Sequence, residues 1–270
     1  MNQLRHKLTL LLLVCIATIG GLLAGCATRS PEQPKRVDVS KLPRHLKAFL
    51  PSDAPLTRGE LLKLVRPGDL PQLHELFKHL PLKQRGSINL VLGYIGDRTS
   101  IDLLTNALTR EFPGSKFDDD EVATVSQMLN SLGHLSAQYP EAYDFLHKGV
   151  EEDFWPKRRQ WTAEEENDVI DVKLARSSLQ NLGHSGRVEV PQLLEELKGR
   201  DAAFLYSRSS YMVDSAFNCE MVQKYGRQVF ITRDHGELFH TWIQGDYGKA
   251  WHEWGIYMLS THGTGKQPGK

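Results

Sequence analysis

Three histidines in the last quarter of the chain are the side chains best suited to chemistry. They lie among carboxylates, and the group comprises His235, His240 and His252 with Asp234, Glu237, Asp246 and Glu253. A zinc site needs ligands that converge within about 2 Å of one point. The step from His235 to His240 is one residue longer than the i, i+4 step that places two imidazoles on one helix face. We therefore interpret the histidines as surface or capping residues, and a hydrolytic or metal-binding segment is the alternative.

Other common templates for catalysis are missing from the sequence. It contains no glycine-rich phosphate loop, no G-x-S-x-G nucleophile motif and no paired-cysteine zinc spacing. We therefore predict no catalytic residue and no cofactor. The 33 basic and 33 acidic side chains give a formal net charge of zero, so there is no electrostatic reason to expect nucleic-acid binding.

The N-terminus has the plan of an export signal. A short basic start is followed by residues 8–25, which carry no charged side chain, and the small residues Ala24 and Gly25 precede Cys26. Small side chains suit signal cleavage at this point, and the Cys26 thiol can accept a lipid. The alternative is an uncleaved anchor helix in which the cysteine has no role.

This ending resembles the lipobox of bacterial lipoproteins. The resemblance implies a lipoprotein signal peptide over residues 1–25 and a lipidated Cys26 at the mature N-terminus. In that family an aspartate directly after the cysteine usually marks retention at the inner membrane, and this chain has Ala27 instead. We therefore expect the protein to be held by its lipid on a bacterial membrane, at the periplasmic face of the outer membrane.

Cys219 is the only thiol left once Cys15 departs with the signal and Cys26 is acylated. No internal disulfide can then form. Because its sequence neighbours supply no base to activate it, we predict that Cys219 is buried and unreactive.

A segment rich in tryptophan and cations is the main candidate for contact with a partner. Trp155 and Trp161 flank a basic run that contains Arg158 and Arg159. On a loop, these side chains suit an acidic partner or lipid headgroups. The alternative is that the tryptophans tuck into the folded body.

Residues 26–41 are polar and contain two prolines, which is typical of a flexible tether. From residue 42 to residue 200, apolar side chains recur at three- and four-residue spacing in pairs of amphipathic helices. Short turns separate the paired helices, with equivalent positions at Gly68, Gly96, Ser136 and Gly186. The pattern predicts about four helical hairpins that must stack to bury their apolar faces, since one hairpin cannot do so alone.

Local signals and interruptions mark the ends of these elements. Residues 57–60 and 162–165 form capping boxes, in which a threonine and a glutamate satisfy each other's backbone amides at a helix start. Pro71 falls in the first turn of a helix. The backbone N–H that proline lacks would have no partner within the helix there, so helix stability is little affected. Residues 115–121 and 151–162 are interpreted as insertions between hairpins.

One hairpin carries a recognisable motif. Val91-Leu92-Gly93-Tyr94-Ile95-Gly96-Asp97, followed by a leucine-rich helix, resembles a HEAT repeat of the short LGxxGD type. The pairs Leu132-Gly133 and Leu182-Gly183 keep part of the motif, and Gly68-Asp69 keeps another part. The resemblance covers residues 57–200 and implies an α-solenoid that binds partners along its surface.

Residues 201–262 depart from this pattern and are rich in aromatic side chains. We predict a helical cap of two or three helices, with Val229 to Thr232 as a short strand and residues 263–270 as a disordered tail. The sequence as a whole predicts an all-α protein, an α-solenoid with a C-terminal cap. The function expected of it is a scaffold that binds another envelope protein.

Overall fold

The computed structural model describes residues 41–51, 56–110, 116–155, 160–161 and 170–262, all in the second of two units, Asp38–Lys270. The predicted signal, the residues of the tether before 41, the second capping box, Arg158, Arg159 and the tail lie outside these residues. The described part is helical, which confirms the all-α prediction. Its α-helices are α1 (Arg58–Leu64), α2 (Leu70–His79), α3 (Gly86–Ile95), α4 (Arg98–Arg110), α5 (Asp119–Ser136), α6 (Pro140–Lys148), α7 (Ile170–Leu182), α8 (Glu189–Leu197), α9 (Ala202–Tyr225), α10 (Val229–Thr232), α11 (His235–Trp242) and α12 (Asp246–His262).

Short elements complete the chain. Single 3₁₀ turns cover Leu46–Phe49, Leu82–Gln84, Glu152–Phe154 and Gly183–Ser185. Two strands of two residues each, β1 (Lys116–Phe117) and β2 (Gln160–Trp161), pair in parallel. Within the described ranges, no helix is both long enough and apolar enough to cross a membrane.

Two capping boxes start helices in the structure. At α1 the Thr57 hydroxyl accepts from the Glu60 amide at 3.3 Å, and the Glu60 carboxylate accepts from the Thr57 amide at 2.8 Å, which confirms the predicted box. Asp118 and Glu121 form the same pair at the start of α5, at 2.9 and 3.0 Å. The acidic residues of the stretch predicted as an insertion, from Asp118 onward, therefore cap α5 and lie in its first turn.

The helices pack as a row with a second set of helices beside it. In the row, α1, α3, α5, α7 and α9 each contact the next member, while α2 contacts α4 and α4 contacts α6. Each pair of consecutive helices from α1 to α6 therefore contributes one helix to each layer. The apolar stripes predicted from the sequence fill the space between them, and fully buried side chains include Leu73, Phe77, Ile88, Leu92, Leu104, Leu108, Val125, Leu129, Leu146, Leu179 and Leu194.

The leucine–glycine pairs lie at close contacts between neighbouring elements of the row. A Cβ added at Gly93 would lie 2.9 Å from a backbone atom of Ser131. At Gly133 it would lie 2.5 Å from the Asn181 backbone, and at Gly183 it would lie 2.2 Å from the Ser215 backbone. These distances are too short for real atoms, so a side chain at any of the three positions would force the helices apart. One glycine contact therefore recurs between α3 and α5, between α5 and α7, and between α9 and the 3₁₀ turn that follows α7.

The C-terminal segment departs from its prediction in two ways. The row extends through α9 to Tyr225, past the predicted boundary at residue 200, and residues 201–262 hold four helices instead of two or three. Val229–Thr232, predicted as a strand, is the single-turn helix α10. A strand at this place would leave its backbone groups without a neighbouring strand, whereas the helical turn bonds Ile231 and Thr232 amides to the Gln228 carbonyl.

Candidate functional site

The structure does not bring the three predicted histidines together. His235 begins α11 and its ring meets the Phe217 ring edge-on at 5.0 Å. His240 is exposed in the last turn of that helix, and His252 lies on α12 with its ring 6.0 Å from the Phe239 ring. In the part of the chain that the structure describes, no three His, Cys, Asp or Glu side chains are placed to share a metal ion.

Trp155, one of the partner-contact candidates, is packed inside the protein. It is 1% exposed, its indole N–H donates to the Gly149 carbonyl at 2.8 Å, and its ring packs edge-on against Phe145 and Phe154. A partner therefore cannot reach this side chain. Trp155 instead follows the alternative prediction, in which the tryptophan packs into the folded body. The backbone of Trp161 pairs with Phe117.

Two arginines, Arg200 just before α9 and Arg208 on α9, hold the segment that contains Trp155. The Arg200 guanidinium makes two bonds to the Glu151 carboxylate, at 2.7 and 3.2 Å. These bonds lower the pKa of Glu151 below its ordinary value. The buried Arg208 pairs with Glu152 at 2.5 Å. Because both pairs join residues some fifty positions apart, sequence reasoning had no local signal for them.

Cys219 is a buried thiol, as the sequence predicts. Its Sγ donates to the Arg187 carbonyl at 3.5 Å. Burial raises the pKa of the Cys219 thiol to about 12, so the thiolate needed for nucleophilic or metal chemistry does not form near neutral pH.

A stack of three rings runs across the row. Tyr94, His134 and His184 each follow the glycine of a leucine–glycine pair, and successive ring centroids are 4.4 Å apart. The Tyr94 hydroxyl and the His134 Nε2 lie 3.0 Å apart. We call these three residues the ring ladder. Its sequence signal was the repeated aromatic or imidazole ring directly after Leu-Gly.

Burial keeps both histidines of the ladder neutral. It lowers the pKa of His184 to about 3 and that of His134 well below its ordinary value. The neighbouring histidine rings and the positive charges of Arg58 and Arg227 act in the same direction. The Nδ1 atoms of both histidines are buried without a hydrogen-bond partner. The ladder is therefore better described as an apolar stack of rings than as a proton relay.

The segment after α9 covers one side of the ladder. Arg227 donates to the backbone carbonyls of Tyr94 at 3.0 Å and His134 at 3.4 Å. The Phe230 ring meets the His184 ring edge-on at 5.2 Å, and α10 continues to a contact with α1. The chain therefore returns from the end of the row to its beginning.

A polar groove lies beside the ladder, on α5 and α7. Its volume is about 300 Å³, and its lining comprises Arg58, Ser126, Gln127, Asn130, Lys173, Ser177, Gln180, Asn181 and His184. A hydrogen-bonded chain crosses it, since Arg58 donates to the Asn130 amide oxygen at 2.6 Å and Asn130 donates to the Asn181 amide oxygen at 2.9 Å. Sequence reasoning missed this polar groove. The available signal was the polar i, i+4 spacing of Ser126 with Asn130 and of Ser177 with Asn181.

A larger cavity of about 710 Å³ lies between the end of α9, α11 and the start of α12. Trp242 forms part of its wall and donates from its indole N–H to the Glu220 carboxylate at 2.7 Å. None of the three predicted histidines lines this cavity. The C-terminal segment thus has a concave site, but the histidines do not build it.

Comparison with known proteins gives no guide to either site. No family model, no curated protein and no solved structure matches this chain.

Proposed function

We propose that this protein is a lipid-anchored bacterial envelope protein whose HEAT-like α-solenoid serves as a scaffold for another envelope protein. The observation that carries the proposal is the glycine contact that recurs three times along the row, twice between helices and once between α9 and the turn that follows α7. Repeats held in one register build an extended surface made of equivalent positions from each hairpin, and such surfaces suit protein partners. The polar groove on α5 and α7 is part of that surface.

The two-layer packing supports the HEAT-like assignment. Paired helices supply one member to the row and one to the second layer, as stacked hairpins do. The motif at residues 91–97 spans the end of α3 and the turn to α4, where a HEAT repeat of that type has its turn. The solenoid then comprises about four hairpins and continues into α9.

In this proposal, lipidation of Cys26 determines where the protein is located. Two or three acyl chains make membrane attachment stable, where one is marginal. A Cys26→Ala change is expected to abolish incorporation of labelled fatty acid and to leave the precursor uncleaved. Continued processing of the variant would show that an ordinary signal peptidase acts on the chain, and the lipoprotein assignment would then fall.

The scaffold role is tested by cross-linking in intact envelopes. The full lipidated chain with a C-terminal affinity tag is cross-linked, purified and analysed by quantitative mass spectrometry. The matched control carries residues 1–41 of this chain on an unrelated soluble domain, so that it shares the lipid and the tether. We expect one or a few envelope proteins to be enriched over the control, and identical sets from the two proteins would contradict the proposal.

The alternative function is an envelope hydrolase or metal-binding protein that uses the C-terminal segment around His235, His240 and His252. The larger cavity in this segment favours a ligand there, and it is bordered by Asp234, Glu237 and Asp246 and by none of the three histidines. Metal analysis of the purified protein, with melting curves in the presence and absence of a chelator, distinguishes the metal version. Stoichiometric metal and a chelator-sensitive melting temperature would support it, and neither is expected under the scaffold proposal.

A further inference from the structure

The charge of the polar groove points to the chemistry of what it binds. Its lining contains two cationic side chains, Arg58 and Lys173, and the other lining residues are amides, hydroxyls and the neutral His184. No carboxylate occurs among these lining residues. Arg58 therefore places a positive charge among many neutral hydrogen-bonding groups.

Arg58 is the charge with the least compensation. Among the described residues its guanidinium bonds to neutral acceptors, Asn130 at 2.6 Å and the Tyr94 hydroxyl at 3.5 Å, and it lies 5.4 Å from the centre of the Tyr94 ring. In the described chain it has no ion pair, and its Nε is buried without a partner. A partly buried cation gains most from a nearby anion, because the low local dielectric strengthens the attraction.

A second group in the groove also lacks a partner. His184 is 8% exposed, lines the groove and has an unpaired Nδ1. The amide oxygen of Gln127 is likewise buried and unpaired. Because both atoms are shielded from solvent, they show incomplete hydrogen bonding in the wall of the groove and do not themselves contact what it holds.

We propose that the polar groove binds an acidic peptide segment of the partner protein, with a side-chain carboxylate paired to Arg58. The amides of Asn130, Asn181 and Gln180 border the same space and can bond to the backbone of an extended peptide. The inference rests on the proposed scaffold function and adds to it the chemical class of the bound segment.

Peptide binding to the full lipidated chain in non-ionic detergent tests the inference. The probe is fluorescein-labelled hexaglutamate, followed by fluorescence anisotropy, with hexaglutamine as the uncharged control. We expect hexaglutamate to bind at least about tenfold more tightly than hexaglutamine, since a charge-assisted pair in a partly buried site contributes on that scale. The affinity should fall as salt is added. Equal affinity for the two peptides would overturn the inference.

Charge-removing variants locate the site. Arg58→Gln and Lys173→Gln should each weaken hexaglutamate binding, the first by about tenfold. Lys63→Gln removes the same charge from an exposed position on α1 outside the groove and is expected to bind as the wild type does. An equal loss in Lys63→Gln and Arg58→Gln would show a diffuse charge effect and contradict a groove site.

Two controls keep the result interpretable. Helical content and melting temperature are measured for each variant, and Lys173→Gln carries the test if Arg58→Gln does not fold. Inorganic phosphate is titrated as a competitor, because displacement of hexaglutamate at equal concentration would mean a site for small anions only and would overturn the peptide assignment. Loss of peptide binding together with an unchanged cross-linked partner would remove this inference and leave the scaffold proposal standing.

Discussion

At the scale of single residues, the neutral histidines make stability depend on pH. The folded-state pKa of His184 is about 3, below its unfolded value of 6.5, so the unfolded state binds more protons between these two values. The free energy of unfolding must therefore fall as pH decreases from 6.5 toward 3, and it is unaffected by His184 above that window. His134 and His74, whose pKa values are also lowered by burial, act in the same direction.

We predict that His184 alone removes about 2 kcal/mol of stability between pH 6.5 and pH 4.5, because the loss approaches about 1.4 kcal/mol per pH unit once the unfolded histidine is fully protonated. His184→Phe keeps a ring in the ladder but cannot take up a proton, so its unfolding free energy should change less over this range. Urea denaturation at several pH values measures the effect. His240→Gln, at an exposed position, is the control, and a His184→Phe profile parallel to that of the wild type would refute the prediction.

Several residue-level features could be read from the sequence because they depend only on near neighbours. The capping box of Thr57 with Glu60 and the first-turn Pro71 are examples. The burial of Trp155 could not be decided in this way. It depends on Phe145 and on the carboxylates of its segment, which pair with arginines on and near α9.

At the scale of elements, the glycines of the row set the distance between helices. A Cβ at Gly133 would meet the Asn181 carbonyl oxygen at 2.5 Å. Because that oxygen belongs to the backbone of α7, it cannot move without shifting the helix. Alanine favours a helix by about 1 kcal/mol over glycine, but separating two packed helices costs more.

We predict that Gly133→Ala lowers the free energy of unfolding by about 1–3 kcal/mol, the usual range for overpacking. Gly59→Ala is the matched control in α1, since its Cβ would lie 3.5 Å from an Ile231 methyl group, an ordinary contact. That variant should be unchanged or more stable by less than about 1 kcal/mol. Urea titrations followed by circular dichroism measure both, and equal effects at the two positions would refute the role given to Gly133.

Helices were predictable where a stripe of apolar residues repeated within one element, as in α2, α3 and α5. The neighbouring helices against which each of them packs were harder to predict. The sequence identified Leu132-Gly133 as part of a repeat motif, but it did not show that Gly133 lies inside α5 and allows α7 to approach. The strand predicted at Val229–Thr232 failed for the same reason, because a strand depends on a neighbour that local sequence does not reveal.

At the scale of the whole molecule, the C-terminal segment ties the end of the row to its beginning. Arg227 reaches carbonyls of α3 and α5, and Ile231 lies beside Gly59 in α1. The sequence suggested a cap for the open end of the stack. The segment also covers the ring ladder, a role that requires contacts across more than a hundred residues and leaves no periodic signal.

The contact made by Arg227 should control how easily this segment opens. Bonds from a charged donor contribute about 1.5–3 kcal/mol each, and Arg227→Met keeps a long apolar stem while it removes both bonds. We predict faster amide hydrogen exchange in Val229–Thr232 and at the end of α3, with little change in the middle of α7, because opening is local when only an edge segment is released. Arg233→Met is the matched control, since that exposed guanidinium lies over the Tyr225 ring at 4.2 Å. Unchanged exchange in Val229–Thr232 of Arg227→Met would show that apolar contacts of Phe230 and Ile231 hold the segment without the arginine.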